Sequence, residues 1–256
     1  GTNASLLKDK GVAASLKAAA KPMIIVGQGA LCGASGSAVL KAARDLADKY
    51  CIKHDWNGFN VLHTAASRVG GLDLGLVTDG GVDSILSDAA KGKLKAVILL
   101  GADEIDTSSL NDCYTIYIGT HGDEGVKHAD AILPSAAYTE KSGTYVNTEG
   151  RIQQTTKAVN APGSAKEDWT ILRALSEVLG QTLPYDSLAQ IRERMTSLAA
   201  SDNSWADFGT KGDLSGDLAV AVTDFYKTNP IARSSAILDD VIAASAAGME
   251  ATGTNG

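Results

Sequence analysis

The stretch MIIVGQGALCGASGSAVLKAARDLADKY, residues 23–50, determines the fold class of this chain. It begins with a short apolar run, passes through a glycine-rich turn, and ends in a segment whose apolar residues recur at helical spacing. The β-compatible run FNVLH at residues 59–63 then supplies a second strand. Further strand-sized apolar runs follow: AVILLGA at 96–102, YTIYIGTH at 114–121 and DAILPSA at 130–136. This alternation predicts an α/β, Rossmann-like domain over residues 21–137, with a mostly parallel sheet flanked by helices.

The character of the sequence changes after Pro134. Two short alternating runs around an Asn-Thr-Glu-Gly turn predict a small β-hairpin within residues 138–160. Residues 161–256 predict a helical extension that ends in an arm, and residues 1–20 a linker or helix. Three signals are predicted to bound the two helices that follow the hairpin: a capping box of Ser164 with Glu167, a stop at Gly180, and a cap at Asp186.

The last hundred residues also contain two segments without a sustained period. Residues 201–218 are rich in Ser, Asp and Gly and are interpreted as an irregular surface stretch. The arm, from Asp224 to Ser235, precedes a final helix that is predicted to begin near Ser234. Because the arm carries Phe225, Tyr226 and Ile231 outside a firm periodic element, we expect it to become ordered when it binds another protein.

Composition and charge exclude several classes of protein. The chain has 256 residues, of which 44% are hydrophobic and 21% charged, the balance of a water-soluble globular protein with a sizeable core. The net charge of -7 and the pI near 5.1 argue against nucleic acid as a partner, because phosphate binding needs a basic surface. No apolar run approaches the roughly 18 residues needed to cross a bilayer, so no direct membrane span is expected.

The cysteines and the first residues bear on cofactors and processing. Cys32, Cys51 and Cys113 are too widely spaced to supply the clustered thiolates of an iron–sulfur cluster or a zinc site. Their small, odd number favours a reducing compartment and a role as buried hydrophobes. The chain begins with Gly1, and its first residues lack both an apolar signal core and the arginines of a transit peptide. We therefore expect a processed, cleaved or partly observed chain.

The glycine-rich turn is the strongest candidate for a ligand site. Gly27 and Gly29 follow a strand, as in dinucleotide-binding proteins, where glycines let the backbone approach a pyrophosphate at a helix N-terminus. Cys32, however, stands at the third glycine position, and Asp45 and Asp48 fit the polar face of the following helix better than a ribose-binding role. A steric turn between strand and helix is the favoured interpretation, and nucleotide binding remains the alternative.

Other polar residues give no catalytic pattern. The four histidines are His54, His63, His121 and His128. No two of them have the i, i+4 spacing of a helical metal site. Three carboxylates lie close together in the sequence: Asp123, Glu124 and Asp130. They could act in acid–base chemistry only if burial shifted the pKa of one of them. We interpret them instead as a solvated face or a helix cap. No Gly-x-Ser-x-Gly motif is present. We therefore predict no catalytic, cofactor-binding or metal-binding residue.

The hairpin combines turn residues with charges. Asn147 and Gly150 fit the turn, because Asn tolerates unusual backbone angles and Gly permits positive φ. Replacing Gly143 or Gly150 with valine is predicted to disrupt the turn if either has positive φ. Glu140 with Arg151 is predicted to form a fixing ion pair. These four charged residues could otherwise pair with one another or with a neighbouring subunit: Glu140, Lys141, Glu149 and Arg151.

These motifs together resemble a known family. The runs DAILPSAAYTEKSGTYVNTEGRIQQT and PGSAKEDWTILRALSEVLGQTLPYD, with NVLHTAASRVGGLDLG, VILLGADE and DFYKTNPIARSS in the same order, are similar to the C-terminal part of the largest iron–sulfur subunit of respiratory complex I, the NADH:ubiquinone oxidoreductase. The resemblance extends from about Lys21 to about Ser235 and is closest to the mitochondrial and α-proteobacterial branch. More distantly, ADAILPSAAYTEKSGTYVNTEGR is similar to molybdopterin-dependent oxidoreductases such as formate dehydrogenases.

The resemblance implies a scaffold that has kept the oxidoreductase fold and lost the cofactor. It would be part of an enzyme only as a subunit of NADH:ubiquinone reductase, in the peripheral arm of complex I. The implied location is the matrix side of the mitochondrial inner membrane, or the cytoplasmic face of a bacterial plasma membrane. Iron–sulfur clusters are expected in the N-terminal half of the subunit or in a partner chain, with none here. Two alternatives stay open: a cofactor-binding fragment of a molybdopterin-dependent oxidoreductase and a dinucleotide-binding enzyme domain.

Overall fold

The computed structural model describes residues 8–199, 209–222 and 224–252. The helices are α1 (Lys10–Ala18), α2 (Gly36–Tyr50), α3 (Arg68–Asp73), α4 (Gly81–Ala90), α5 (Asp168–Val178), α6 (Leu188–Ala199), α7 (Pro230–Arg233) and α8 (Ala236–Thr252). The strands are β1 (Ile24–Gly27), β2 (Ile52–Lys53), β3 (Trp56–Asn57), β4 (Phe59–Leu62), β5 (Ala96–Leu100), β6 (Tyr114–Gly119), β7 (Ala131–Pro134), β8 (Thr144–Val146) and β9 (Ile152–Gln154). The α/β class, with parallel strands and flanking helices, is confirmed.

The chain divides into two compact units. Unit 1 comprises Gly1–Leu76, Thr144–Gln153 and Ser197–Thr223, and unit 2 comprises Val77–Gly143, Gln154–Thr196 and Asp224–Gly256. The parallel sheet of unit 1 pairs β1 with β4, and that of unit 2 has the order β5-β6-β7. The domain boundaries that the sequence suggests stay a prediction.

Helix α2 forms the core of unit 1 because its small residues recur at i, i+4 spacing. Val39, Ala43 and Ala47 lie on one face and are at most 4% exposed. Such small side chains let the helix backbone approach β1 closely. The opposite face carries the ion pairs Lys41–Asp45 and Arg44–Asp48, both at i, i+4 spacing. Asp45 and Asp48 therefore belong to the polar face of α2, as the sequence favoured.

Unit 2 contains the longer parallel sheet. Its strands are in register, so that Ile98 of β5 lies opposite Ile116 of β6, and Ile116 opposite Ala131 of β7. One face of the sheet and helix α4 share a buried cluster of Ala89, Leu99, Leu110, Cys113 and Tyr117. The alternation of strand runs with connecting segments in the sequence therefore has a structural counterpart, a parallel sheet with crossover connections.

The predicted capping box at Ser164 and Glu167 is wrong. Lys166 forms a parallel bridge with Ser135, donating its N–H to the Pro134 carbonyl and accepting from the Ala136 N–H. This pairing keeps the backbone extended through Lys166, so α5 begins only at Asp168. Its predicted stop is confirmed: α5 ends at Val178, and Gly180 follows with a φ of 77°.

A capping box is present instead at the start of α6. The Gln190 N–H donates to the Ser187 hydroxyl at 3.3 Å, and the Ser187 N–H donates to the Gln190 side-chain oxygen at 3.1 Å. The predicted cap at Asp186 is therefore wrong by one residue. Asp186 is one position too early for the cap, and its carboxylate accepts a hydrogen bond from Arg173 at 3.1 Å.

The segments without a period are only partly described. Residues 201–208 of the predicted irregular stretch lie outside the described residues, and residues 209–218 form neither helix nor strand. The prediction that this stretch lies on the surface is wrong for Leu214. This residue is 5% exposed and packs against Ala38 and Val39. Within the described part of the chain, no helix is both long enough and apolar enough to span a membrane.

Candidate functional site

The glycine-rich turn lies at the carboxyl end of β1, where parallel α/β sheets usually place their ligands. Gly27 ends the strand, and the following residues, Gln28–Ala30, form a 3₁₀ turn. The Gln28 side-chain amide donates a hydrogen bond to Nδ1 of His63, 3.2 Å away, just beyond β4. Burial, together with the nearby Arg68 guanidinium, lowers the pKa of His63, which keeps its ring neutral and able to accept this bond.

A cavity opens beside this hydrogen bond within unit 1. Its volume is about 340 Å³, at the lower end of the range for small-molecule sites. Its polar lining is sparse, because apolar side chains from α2, α3 and β4 form most of the wall, and the polar groups are Gln28, Asn60, His63, Asp73 and Thr148.

Gly29 of this turn is in contact with the backbone of a later segment of the chain. Residues 209–222, called here the covering segment, lie along the turn, and the Ala219 N–H donates to the Gly29 carbonyl at 2.8 Å. Cys32 is exposed, with its thiol 3.9 Å from the Gln28 side-chain oxygen, so its predicted burial is wrong. Cys51 and Cys113 are buried as expected, and burial raises the pKa of the Cys51 thiol.

A second cluster lies at the carboxyl ends of β5 and β6 in unit 2. The guanidinium of Arg233 contacts three carboxylates: its Nε donates to Asp123 at 2.7 Å, its Nη1 to Glu104 at 2.7 Å, and its Nη2 lies 3.9 Å from Asp103. The side chain of Asp103 is fully buried and that of Arg233 is 16% exposed. The planar guanidinium suits this arrangement because its donors point in several fixed directions.

Asp103 is held by further donors. The Tyr117 hydroxyl lies 2.8 Å from Asp103 Oδ2, and the Gly125 N–H donates to Oδ1 at 3.0 Å. Burial, and then the hydrogen bond to Asp103, raise the pKa of Tyr117 far above its usual range. The phenol therefore stays protonated and serves as a donor, which is a structural arrangement rather than one for proton transfer at neutral pH.

The carboxylates that were weighed for acid–base chemistry have structural partners. Glu124 pairs with Lys127, and Asp130 accepts the Thr115 N–H at 2.7 Å. The side chain of Asp123 is only 26% exposed and bound to Arg233, so it does not lie on a solvated face. Asp123 does occupy the N-cap position of the 3₁₀ turn Glu124–Val126, although its side chain makes no cap hydrogen bond. The histidines are not brought together: His54 lies in the turn between β2 and β3, and His121 contacts Thr120. Among the described residues, no group of three or more His, Cys, Asp or Glu side chains is placed to hold a metal ion.

The hairpin turn is held by Asn147. Its side-chain oxygen accepts from the N–H groups of Glu149, at 3.0 Å, and Arg151, at 2.9 Å. The hydroxyl of Thr148 donates towards β4, where the Val61 carbonyl oxygen lies 2.7 Å away. This bonding attaches the hairpin to the sheet of unit 1, which favours a structural role for the hairpin over a catalytic one.

The predicted ion pair between Glu140 and Arg151 is wrong. Glu140 accepts the Ala137 N–H at 2.9 Å, and Arg151 lies 3.7 Å from Glu149. Each charge is satisfied by a residue close to it in sequence. Lys141, another of the predicted partners, pairs with Asp168 at the start of α5.

Replacing Gly150 with alanine should lower the free energy of unfolding by about 1–2 kcal/mol, the usual cost of a left-handed conformation for an L-residue. Gly150 has a φ of 81° and open space around its missing side chain, so the effect isolates backbone strain. Gly27→Ala is the matched control, since that site is also open but has a φ of -86°. Equal urea denaturation midpoints for the two variants would contradict the prediction. The condition of positive φ is thus met at Gly150, and Gly143 is not among the described glycines with positive φ.

The buried network around Asp103 was missed by sequence reasoning. Asp103 and Glu104 directly follow a strand run, a position at which parallel sheets gather polar side chains. That signal was available from the sequence. The partner, Arg233, lies 129 residues beyond Glu104, and nothing in the local pattern links the two.

The parallel strands, the glycine-rich turn and the following helix place this protein among α/β proteins with Rossmann-like sheets. Within that class, the chain belongs to the molybdopterin oxidoreductase family, whose model matches residues 2–178. A second family model, which describes the C-terminal region of an NADH-ubiquinone oxidoreductase polypeptide, matches residues 194–238. The two models together cover both the α/β region and the arm.

Curated relatives agree with this assignment. The chain is 44% identical over 194 residues to the mitochondrial NADH-ubiquinone oxidoreductase 78 kDa subunit of Neurospora crassa, covering 74% of this chain and 25% of the relative. The corresponding Candida albicans protein is 47% identical over 191 residues, covering 73% and 25%. The 75 kDa subunit of Reclinomonas americana is 47% identical over 180 residues, covering 70% and 26%. The resemblance to the complex I subunit is confirmed, and the chain spans about a quarter of the length of these relatives.

Proposed function

We propose that this chain is the C-terminal part of the largest iron–sulfur subunit of complex I and serves there as a scaffold without a redox centre of its own. It supports the cluster-bearing part of the subunit in the peripheral arm, on the matrix side of the mitochondrial inner membrane, while electrons pass from NADH to quinone elsewhere. The similarity to relatives named as complex I subunits supports the role, and their mitochondrial names support the location.

The scaffold proposal rests on the structure of the arm, which is fixed to unit 2 but exposes aromatic side chains. Within unit 2, Arg233 is bonded to the acidic cluster and Lys227 forms an ion pair with Asp239. Phe225 is nevertheless 83% exposed and Tyr226 50% exposed. Aromatic side chains on a segment that is already held in place lose little entropy on binding and often dominate interface energies. The arm is therefore suited to docking on another protein.

The double substitution of Phe225 and Tyr226 by alanine should weaken incorporation into complex I by about 10-fold or more, since one aromatic hot spot is worth about 2 kcal/mol and a tenfold change needs about 1.4 kcal/mol. The measurement is the fraction of tagged subunit that co-migrates with the assembled enzyme on native gels. Tyr138→Ala is the control, because Tyr138 is an aromatic residue of unit 2 outside the arm and is about as exposed as Tyr226. Equal incorporation of both variants would exclude the arm as a docking element.

The absence of a redox centre is tested separately on the purified chain. Iron, molybdenum and tungsten are measured by mass spectrometry, together with visible absorbance. The proposal expects none at stoichiometric amounts. Stoichiometric iron would contradict the scaffold role.

The rival function, a cofactor-binding fragment of a molybdopterin-dependent oxidoreductase, is favoured by one observation. The cavity of about 340 Å³ beside Gln28 and His63 lies at the carboxyl ends of β1 and β4, where a ligand of this fold class binds. Molybdenum or tungsten that remains bound through purification would support this rival. A metal-free chain that still assembles would exclude it.

A further inference from the structure

The covering segment fits the glycine-rich turn so closely that a side chain has no room between them. A Cβ atom on Gly29 would lie 2.5 Å from the Ala219 carbonyl oxygen, well inside van der Waals contact. Gly27, two residues earlier, has nothing within 4 Å of the same position. Glycine is thus required at Gly29 by the chain's own backbone, whereas Gly27 meets no such restriction.

The contact continues into the first turn of α2. A Cβ atom on Gly216 of the covering segment would lie 2.5 Å from the Ser35 hydroxyl. The Thr210 N–H donates to the Ser37 hydroxyl at 2.9 Å. Both partners lie at the N-terminal end of α2, so the segment extends over the part of the helix that attracts anions in other proteins.

An apolar anchor accompanies these polar contacts. Leu214, near the middle of the covering segment, is 5% exposed and packs against Ala38 and Val39 of α2. Removing this apolar side chain from water stabilises the contact between the segment and the helix. The segment is therefore held at three places along its length: by hydrogen bonds at Thr210 and Ala219, and by hydrophobic burial at Leu214.

We propose that the covering segment is a permanent internal occupant of the glycine-rich turn and closes it to phosphate groups. A strand, a glycine turn and a helix N-terminus normally admit the backbone close to a phosphate. Here the close approach is used by residues 209–222, so the turn is filled by protein. This proposal goes beyond the scaffold role, because the contact between the covering segment and the turn lies within unit 1 and needs no other complex I subunit.

The test is hydrogen–deuterium exchange, followed by mass spectrometry, on peptides from residues 209–222. In the wild type these peptides should be protected at the Thr210 and Ala219 amides. Gly29→Ala should raise their exchange rate about 10-fold or more, because the new methyl group displaces the Ala219 carbonyl. Gly27→Ala should leave the rate unchanged. Equal rates in the two variants, or an unprotected wild type, would overturn the proposal.

A second variant serves if Gly29→Ala does not fold. Leu214→Ala removes the apolar anchor from the segment side and leaves the turn itself intact, so exchange should rise in residues 209–222 and stay low in α2. Unchanged exchange in the segment would count against the proposal.

Pyrophosphate supplies an independent probe. Isothermal titration of the wild-type chain with pyrophosphate should show no binding. Binding while residues 209–222 remain protected would show that the turn is open, and would overturn the proposal. Neither result bears on assembly into complex I, so failure here is distinguishable from failure of the scaffold role.

Discussion

Replacing Gly125 with alanine is expected to destabilise unit 2 by about 3 kcal/mol, at the upper end of the usual cost of overpacking a core. Its Cβ atom would lie 2.4 Å from a ring carbon of Tyr117 and 2.7 Å from an oxygen of Asp103. Tyr117 is 1% exposed, so its ring cannot relieve the contact by turning into solvent. The same displacement would lengthen the hydrogen bond from the Gly125 N–H to Asp103.

The matched control is Gly122→Ala, three residues earlier in the same connection. A Cβ atom there would meet only Val126, at the ordinary contact distance of 3.7 Å. We therefore expect its urea denaturation curve to overlay that of the wild type. If both variants unfold at the wild-type midpoint, the packing around Tyr117 is looser than the structure indicates.

Replacing Arg233 with methionine is expected to lower the free energy of unfolding by about 2–3 kcal/mol, because removing one partner of a buried ion pair leaves the other charge uncompensated. Asp103 is the critical group, since its side chain is fully buried. Methionine retains much of the apolar contact of the arginine stem, so the loss reports mainly on charge and hydrogen bonding. Thermal and urea denaturation of the whole chain measure the effect.

Two controls separate charge from geometry. Arg233→Lys keeps the charge but cannot donate to Asp123 and Glu104 in fixed directions, so it should be intermediate. Lys93→Met breaks an exposed pair with Asp88 and should change little. An Arg233→Met variant as stable as Lys93→Met would show that the cluster does not hold the arm.

Local sequence patterns predicted most secondary structure. The i, i+4 spacing of Val39, Ala43 and Ala47 marks a helix, because the α-helical period puts these residues on one face. Asn147 and Gly150 mark a turn because their backbone and side-chain chemistry suits one. Such patterns predict local structure well because the residues that form the pattern are the same residues whose conformation it determines.

Helix starts were less predictable. Ser164 with Glu167 and Ser187 with Gln190 present the same kind of capping signal, yet only the second pair caps a helix. The difference is the bridge between Ser135 and Lys166, which holds the first candidate in an extended conformation. Pairing with a distant strand overrode a local preference of comparable size.

The sequence by itself determined the strands, the main helix and the hairpin turn, because their signals are periodicity and intrinsic backbone preference. It also carried enough similarity to identify the family. Only the tertiary structure decided that Arg233 reaches Asp103 and that Ala219 lies against Gly29. These contacts join residues more than a hundred positions apart, and their strength comes from burial and close approach, which exist only once the chain has folded.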